Sequence, residues 1–264
     1  MASSVLSIKK VLKLACNEAG EIIKKSFGSV KKISSKGKND WVTTQDKKVE
    51  KHIIDTIKKY YPDSSFIAEE SGASPKSSRI QWIIDPIDGT NNFIHDYPFF
   101  CTSIGVQVDG ELNYGAIYDP LRKEFFYAEK GLGAFLNNKR IKTSQVDNLE
   151  EALLCTGFIT SKKHYAKKNI DNFQKLLFKC RSIRRDGSAA LDLAYVACGR
   201  LDGFWELGLN SWDTAAGVLL VKEAGGVIGN SQGKTFDILK NKSLIASNKY
   251  IFNDLMSNVE SKIL

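Results

Sequence analysis

The chain is poor in the residues that stapled or zinc-built domains rely on, with three histidines and five cysteines among 264 residues. Cys16, Cys101, Cys155, Cys180 and Cys198 are odd in number and show no CxxC or CxxH spacing. That excludes a disulfide framework and a thiolate zinc site, and they read as reduced core thiols of a cytoplasmic protein. Prolines number only five, and no run of about 18 apolar residues occurs, so neither a low-complexity tail nor a membrane-spanning helix is expected. Met1-Ala2-Ser3-Ser4 leads straight into a lysine-bearing periodic pattern without the apolar core of a secretion signal. What is present is a 42% hydrophobic composition, enough to bury a large core.

The formal charge is +8, from 38 basic and 30 acidic residues. Lys31-Lys32, Lys36-Gly37-Lys38, Lys47-Lys48 and Lys162-Lys163 could attract nucleic acid or phosphorylated ligands. Lysine dominates arginine and no aromatic residues interleave these clusters, so a solvated surface favouring anionic ligands is the better reading than a base-stacking platform.

Apolar spacing predicts a helix over 4–27, stopped by Gly28, and a second opened by Thr43-Thr44-Gln45-Asp46 and ended by Pro62. Strands follow at 66–68 and 80–84, separated by a serine-rich surface loop over 71–79. Asp109-Gly110, between β-favouring runs at 99–108 and 112–118, signals a hairpin; 125–127, 134–136 and the turn Asn137-Asn138 continue an antiparallel meander. Beyond about residue 150 the pattern alternates. Strands at 153–155, 181–184, 201–205 and 243–246 are interleaved with helices at 168–179, 188–198 and 212–224, with a further helix at the end. The expectation is an α+β protein, one catalytic unit over 1–264 with a soft boundary near 150. An antiparallel sheet with two helices would precede that boundary, and an α/β half with a mixed or parallel sheet would follow.

Trp82-Ile83-Ile84-Asp85-Pro86-Ile87-Asp88-Gly89-Thr90 is the most informative stretch, an apolar strand running into two carboxylates, a glycine and a threonine. Alone it reads equally well as an acidic turn stiffened by Pro86. Glu69-Glu70 follow another short strand, however, and Asp213 stands at the start of a predicted helix where it or Ser211 could cap. Five acids near element ends repel one another unless a cation compensates, and an all-oxygen donor set without histidine favours Mg²⁺ over zinc or iron. Gly89-Thr90 can offer backbone amides to phosphate at the start of a helical turn. Together these features point to hydrolysis of a phosphate ester.

Asp40-Trp41-Val42-Thr43-Thr44-Gln45-Asp46, Ala68-Glu69-Glu70-Ser71, the 82–93 stretch and Trp212-Asp213-Thr214-Ala215-Ala216-Gly217 resemble, in order and spacing, the signature blocks of the inositol monophosphatase family. The resemblance spans nearly the whole chain. It implies an α-β-α-β-α layered sandwich and Mg²⁺-dependent, lithium-sensitive hydrolysis of a small phosphate monoester. It implies two to three ions: Glu69, Asp85 and the Ile87 carbonyl at the first, Asp85, Asp88 and Asp213 at the second, and Glu70 at a weaker third. Thr90, oriented with Asp46 or Glu69, would position the attacking water, and the Gly89 and Thr90 amides would hold the phosphate. A homodimer is also implied.

At the leaving-group end, Arg185-Asp186-Gly187-Ser188-Ala189-Ala190-Leu191-Asp192 and Gly203-Phe204-Trp205-Glu206 resemble the bacterial inositol-1-monophosphatase branch. Gly187, Ser188, Ala189 and Glu206 would then line an inositol pocket, with Glu206 accepting from ring hydroxyls. Asp186 departs from the small or apolar residue expected there. The alternatives within the fold are a fructose-1,6-bisphosphatase, a 3′-phosphoadenosine phosphatase or an NADP phosphatase. Relatives in that branch also serve in transcription, a role the basic surface permits but does not predict. Asp46 could equally be the third-position partner of a capping box with Thr43, and Trp82 and Trp212 read as packing supports. Arg184 and Arg185 read as structural or interface residues.

Overall fold

A computed structural model of the chain describes residues 6–29, 33–37, 40–74, 78–230 and 236–260. Expectations resting on residues 4–5, Lys31, Lys32, Lys38 and the middle of the 71–79 loop lie outside these, as do the side chains of Lys36 and Asp40-Trp41-Val42. Helix α1 (Ile8–Ser26) starts after Ser7, later than the predicted 4–27, and buries Val11, Leu12, Ala15, Cys16, Ala19 and Ile23. Strands β1 (Ile33–Gly37) and β2 (Asp40–Thr43) pair antiparallel where only a polar connection is expected. The segment has no clear apolar alternation, so the backbone ladder leaves little mark on the sequence. Helix α2 (Thr44–Tyr60) follows.

An eight-stranded sheet comprises β3 (Ser65–Ala68), β4 (Gly72–Ala73), β5 (Ile80–Asp88), β6 (Cys101–Val108), β7 (Glu111–Asp119), β8 (Glu124–Glu129), β9 (Gly133–Leu136) and β10 (Lys139–Arg140). Its order is β10-β9-β8-β7-β6-β5-β3-β4, antiparallel except for β3 beside β5. The short helix α3 (Thr90–Ile94) lies between β5 and β6. Asp109 and Gly110 turn the β6–β7 hairpin with φ of 53° and 80°, as the sequence expects.

The second sheet holds β11 (Leu153–Thr156), β12 (Ser182–Arg184), β13 (Gly203–Leu207), β14 (Val227–Gly229) and β15 (Ser243–Ser247), in the order β12-β11-β13-β15-β14. It is mixed: β12, β11 and β13 run parallel, and β15 runs antiparallel to both β13 and β14. Between its strands run α4 (Lys163–Leu177), α5 (Ala189–Ala197) and α6 (Ser211–Glu223), and α7 (Phe252–Asn258) closes the described chain.

Side-chain alternation assigns the layers. Trp82 and Ile84 pack with α1 and α2, whereas Ile83 faces the α5–α6 core. Cys155, Phe204 and Ala246 face that same core from the second sheet, while Leu154, Trp205 and Ile245 pack under Leu176 of α4 and Leu255 of α7. The result is the α-β-α-β-α sandwich. Among the described residues no helix is long and apolar enough to cross a membrane.

Several boundaries move. The strand predicted at 80–84 continues to Asp88, and its pairing with β6 slips between Asp85 and Asp88. Pro86 has no N–H for the ladder, while its carbonyl accepts from Thr102 Oγ1 at 2.9 Å. Asp85 therefore lies inside a central strand rather than at its end. Helix α4 begins five residues before the predicted 168, because its buried face includes Asn169 and Asn172 and so lacks an apolar signature. Strand β14 is too short to read from sequence, and β13 starts two residues later than expected.

Helix α6 is seated between the sheets at a glycine pair. Gly105 and Gly115 oppose one another across β6 and β7. A Cβ on Gly115 would fall 2.8 Å from the Ala216 carbonyl oxygen, and one on Gly105 would fall 2.6 Å from the Ala215 Cβ. Gly115→Ala should lower stability by about 1–3 kcal/mol through overpacking, read as a fall in the urea midpoint. Unchanged stability would show that this contact does not seat the helix.

Candidate active site

The parallel pairing of β3 with β5 brings the turn after β3 beside Asp85: the Glu69 amide donates to the Ile84 carbonyl at 3.1 Å. Asp85 is 2% exposed, at the parity of Ile83, and so faces α6. Its Oδ1 has no hydrogen-bond partner among the described residues. Burial, then the charges of Glu69, Asp88 and Asp213, hold its carboxyl well above the usual range.

Beyond the slip in register, Asp88 meets the start of α5. Its Oδ2 accepts from Ser188 Oγ at 2.7 Å and from the Ala190 amide at 2.6 Å. Burial raises it to about 6, against the lowering effect of those donors. Asp213 sits in the first turn of α6, but the capping position expected for it or Ser211 belongs to Asn210, whose amide donates to Asp213 Oδ2 at 2.7 Å. Burial first, then Asp88, pushes Asp213 up to about 8. Glu206, buried on β13, is likewise raised to about 8 by burial, then by Asp213 and Asp88.

The two readings of Asp46 prove compatible because they use different oxygens. Asp46 Oδ2 accepts from the Thr43 amide at 2.7 Å and its hydroxyl at 2.5 Å, completing the capping box of α2. Asp46 Oδ1 faces Thr90 Oγ1 at 3.0 Å, and the Ile87 carbonyl lies equally near that hydroxyl. Gly89, at φ +97°, precedes α3 where a Cβ would lie 3.0 Å from the Phe99 carbonyl oxygen.

These elements enclose a cleft of about 260 Å³. Of the expected site residues, Glu69, Asp88, Gly89, Thr90, Gly187, Ser188, Ala189, Glu206 and Asp213 line it. Asp46, Asp85 and Ile87 are buried beside it, reaching it through Thr90, Glu69 and Asp88. Glu70 is not in the lining, and its amide donates to the buried Glu50 at 2.7 Å. Asp186 also stays out of the lining; its carbonyl accepts from Asn92, and Arg185, read from sequence as a structural or interface residue, takes the place on the cleft. Trp82 is a buried support, donating to Ser64 Oγ at 3.0 Å, whereas Trp212 reaches the cleft.

Sequence reasoning gave Gly157 and Asp192 no role in the lining and read Lys162 as part of a solvated surface favouring anionic ligands, yet all three line the cleft. A side chain on Gly157 would collide with the Glu206 carboxylate, so the glycine makes room for that acid. Lys162 Nζ donates to the Gly208 carbonyl at 2.5 Å, tying the start of α4 to the loop before α6. The only prior signal for Asp192 was an acid in an otherwise apolar helix, easily taken for a solvated position.

Among the described residues no three His, Cys, Asp or Glu side chains stand as a ready coordination shell. Asp88 and Asp213 instead take local donors. The chemistry nevertheless fits a hard divalent cation. Glu69, Asp85, Asp88 and Asp213 supply only oxygen donors, one sealed oxygen has no partner among the described residues, and their mutual repulsion is what a cation relieves.

The raised carboxyls fix a pH dependence for the chelated protein. The folded state keeps protons that the unfolded chain has lost, from 3.8 to about 8 at Asp213 and 4.5 to about 8 at Glu206. Stability present below about pH 4 should fall as pH rises to about 8. Thermal midpoints measured in chelator should show this fall, and Asp213→Asn should flatten it. An equally steep fall in that variant would remove Asp213 as a cause.

The model of the inositol monophosphatase family matches residues 5–264. The Nus factor SuhB of Salmonella typhimurium is 43% identical over 252 residues, 94% of each chain. The crystal structure of the extragenic suppressor protein suhB from Bartonella henselae superposes with a TM-score of 0.92 at 38% identity, covering 98% of this chain and all of that one. The inositol monophosphatase from Anabaena gives a TM-score of 0.85 at 37% identity, covering 94% and 93%. By sequence and by fold, the chain belongs to the inositol monophosphatase family.

Proposed function

We propose that the protein is a Mg²⁺-dependent phosphate monoester hydrolase acting on a small phosphorylated polyol, inositol 1-phosphate foremost, with residues 1–264 working as one catalytic unit. The observation that carries this reading is the meeting of Glu69, Asp85, Asp88 and Asp213 beside a threonine hydroxyl anchored to Asp46. Glu69, Asp85 and the Ile87 carbonyl would hold one ion, Asp85, Asp88 and Asp213 a second, and Glu70 would assist a third. The chemistry such ions supply when bound is neutralisation of phosphate charge and activation of water.

The remaining work falls to the chain. Asp46 fixes Thr90 Oγ1, and that hydroxyl, with Glu69 alongside, orients the attacking water in line with phosphorus. Gly89 admits the phosphate to the backbone at the start of α3. Across the cleft, Glu206 accepts from hydroxyls of the leaving group, with Gly187, Ser188 and Ala189 forming the adjoining wall. No side-chain nucleophile is needed, and water serves in that role.

A second role is supported by the relatives' own name, Nus factor, at 43% identity: we propose that the chain can also act in transcription as a binding protein. An Asp88→Asn allele compared with a full deletion in cells separates the roles. Loss of the phenotype only in the deletion supports binding, and equal loss in both assigns the phenotype to catalysis.

For the enzyme, inositol 1-phosphate should be cleaved faster than adenosine 3′,5′-bisphosphate, fructose 1,6-bisphosphate or NADP at millimolar Mg²⁺, with lithium inhibiting. Asp85→Asn and Asp213→Asn should each lower turnover by about a hundredfold or more while leaving the circular dichroism spectrum unchanged. Faster cleavage of the adenosine bisphosphate overturns the substrate assignment, and full activity in either variant removes that residue from the metal site.

A further inference from the structure

One acid in the cleft has no work in the scheme above. Asp192 lies on α5, is 1% exposed, and its Oδ1 has no hydrogen-bond partner among the described residues. Its Oδ1 is sealed from solvent. A buried polar group left in that state is rare and costs stability, so it calls for a reason.

Its position supplies one. Asp192 follows Ser188 by four residues, so the two share a face of α5, and both line the cleft. Ser188 is committed to Asp88 at the phosphate end. Asp192 stands one turn further along the helix, towards the leaving-group end, where its charged neighbours are Glu206, Asp186, Asp88 and Arg185. Burial, then Asp186 and Glu206, holds its carboxyl well above the usual range, so it can offer a proton as well as accept one. A core role would be met better by an apolar residue, since the other residues of α5 are apolar and buried except the half-buried Tyr195.

We propose that Asp192 is a second recognition residue for hydroxyl groups of the leaving group, acting beside Glu206 so that the cleft selects phosphate esters whose leaving group carries at least two hydroxyls. This rests on the polyol phosphatase reading. Each hydroxyl can donate to one acid and accept from the other, so a leaving group with two hydroxyls satisfies the pair. A leaving group without hydroxyls leaves Asp192 unpartnered. Sites built on buried hydrogen-bonding groups discriminate in this way, because the wrong ligand strands a polar atom.

The test compares wild type, Asp192→Asn and Asp192→Ala on inositol 1-phosphate and on p-nitrophenyl phosphate, whose leaving group has no further hydroxyl. With Mg²⁺ present, kcat/KM for inositol 1-phosphate should fall roughly tenfold or more in both variants, chiefly through KM. The value for p-nitrophenyl phosphate should stay within about twofold. The rise in thermal midpoint on adding inositol 1-phosphate should shrink in parallel, and the midpoint without substrate should not drop, since its Oδ1 has no partner to lose among the described residues. An equal fall on both esters would make Asp192 a structural residue and overturn the inference, as would an unchanged ratio. If wild type cleaves p-nitrophenyl phosphate but no polyol ester, the substrate reading fails and takes this inference with it. If wild type favours inositol 1-phosphate and the variants keep that preference, only the role of Asp192 fails.

Discussion

Everything in this structure is arranged around the difficulty of keeping several carboxylates, some buried and some half-buried, within one another's field in a single cleft. Three helices share the task. Asp46 occupies the first turn of α2, Asp213 the first turn of α6, and Asp88 accepts from the amide of Ala190 at the start of α5. Each acid is thus held by backbone donors at the positive end of a helix dipole, where an anion is stabilised without a neighbouring basic side chain. Asp85 has no such helix, lies in a strand, and keeps an oxygen without a donor among the described residues.

The layered architecture brings those helix starts together. Helix α6 is wedged between two sheets, and its seat on Gly105 and Gly115 sets how closely Asp213 approaches Asp85 on β5. Helix α5 lies beside α6 in the same layer and carries Ser188 and Asp192 toward the cleft. The eight-stranded sheet contributes Glu69 to Thr90, and the five-stranded sheet contributes Glu206. The cleft exists because both sheets face one helical layer.

Its two ends answer different chemical demands. At the phosphate end, clustered oxygens, a fixed threonine hydroxyl and open backbone suit an anion bridged by cations. At the other end, Glu206 and Asp192 lie within the field of Arg185, and all three line the cleft. The net positive charge of the chain favours the approach of anionic ligands.

The acids of the candidate site were legible in the sequence because carboxylates clustered at strand and helix ends are unusual, and Asp85-Pro86-Ile87-Asp88-Gly89-Thr90 keeps two of them in one stretch. The division into an antiparallel half and an α/β half was legible from the switch between meander and alternation near residue 150, whereas the layer order came only with the family resemblance. Periodicity could not show that Asp85 lies inside its strand, since the slip at Pro86 depends on pairing with β6. Nor could it show that Gly157 makes room for Glu206, that Arg185 rather than Asp186 reaches the cleft, or that Asp192 is buried with an oxygen that has no partner among the described residues. Local sequence determines which groups a turn or cap can present. Burial, and the company each charge keeps, arise only when residues far apart in the chain are packed against one another.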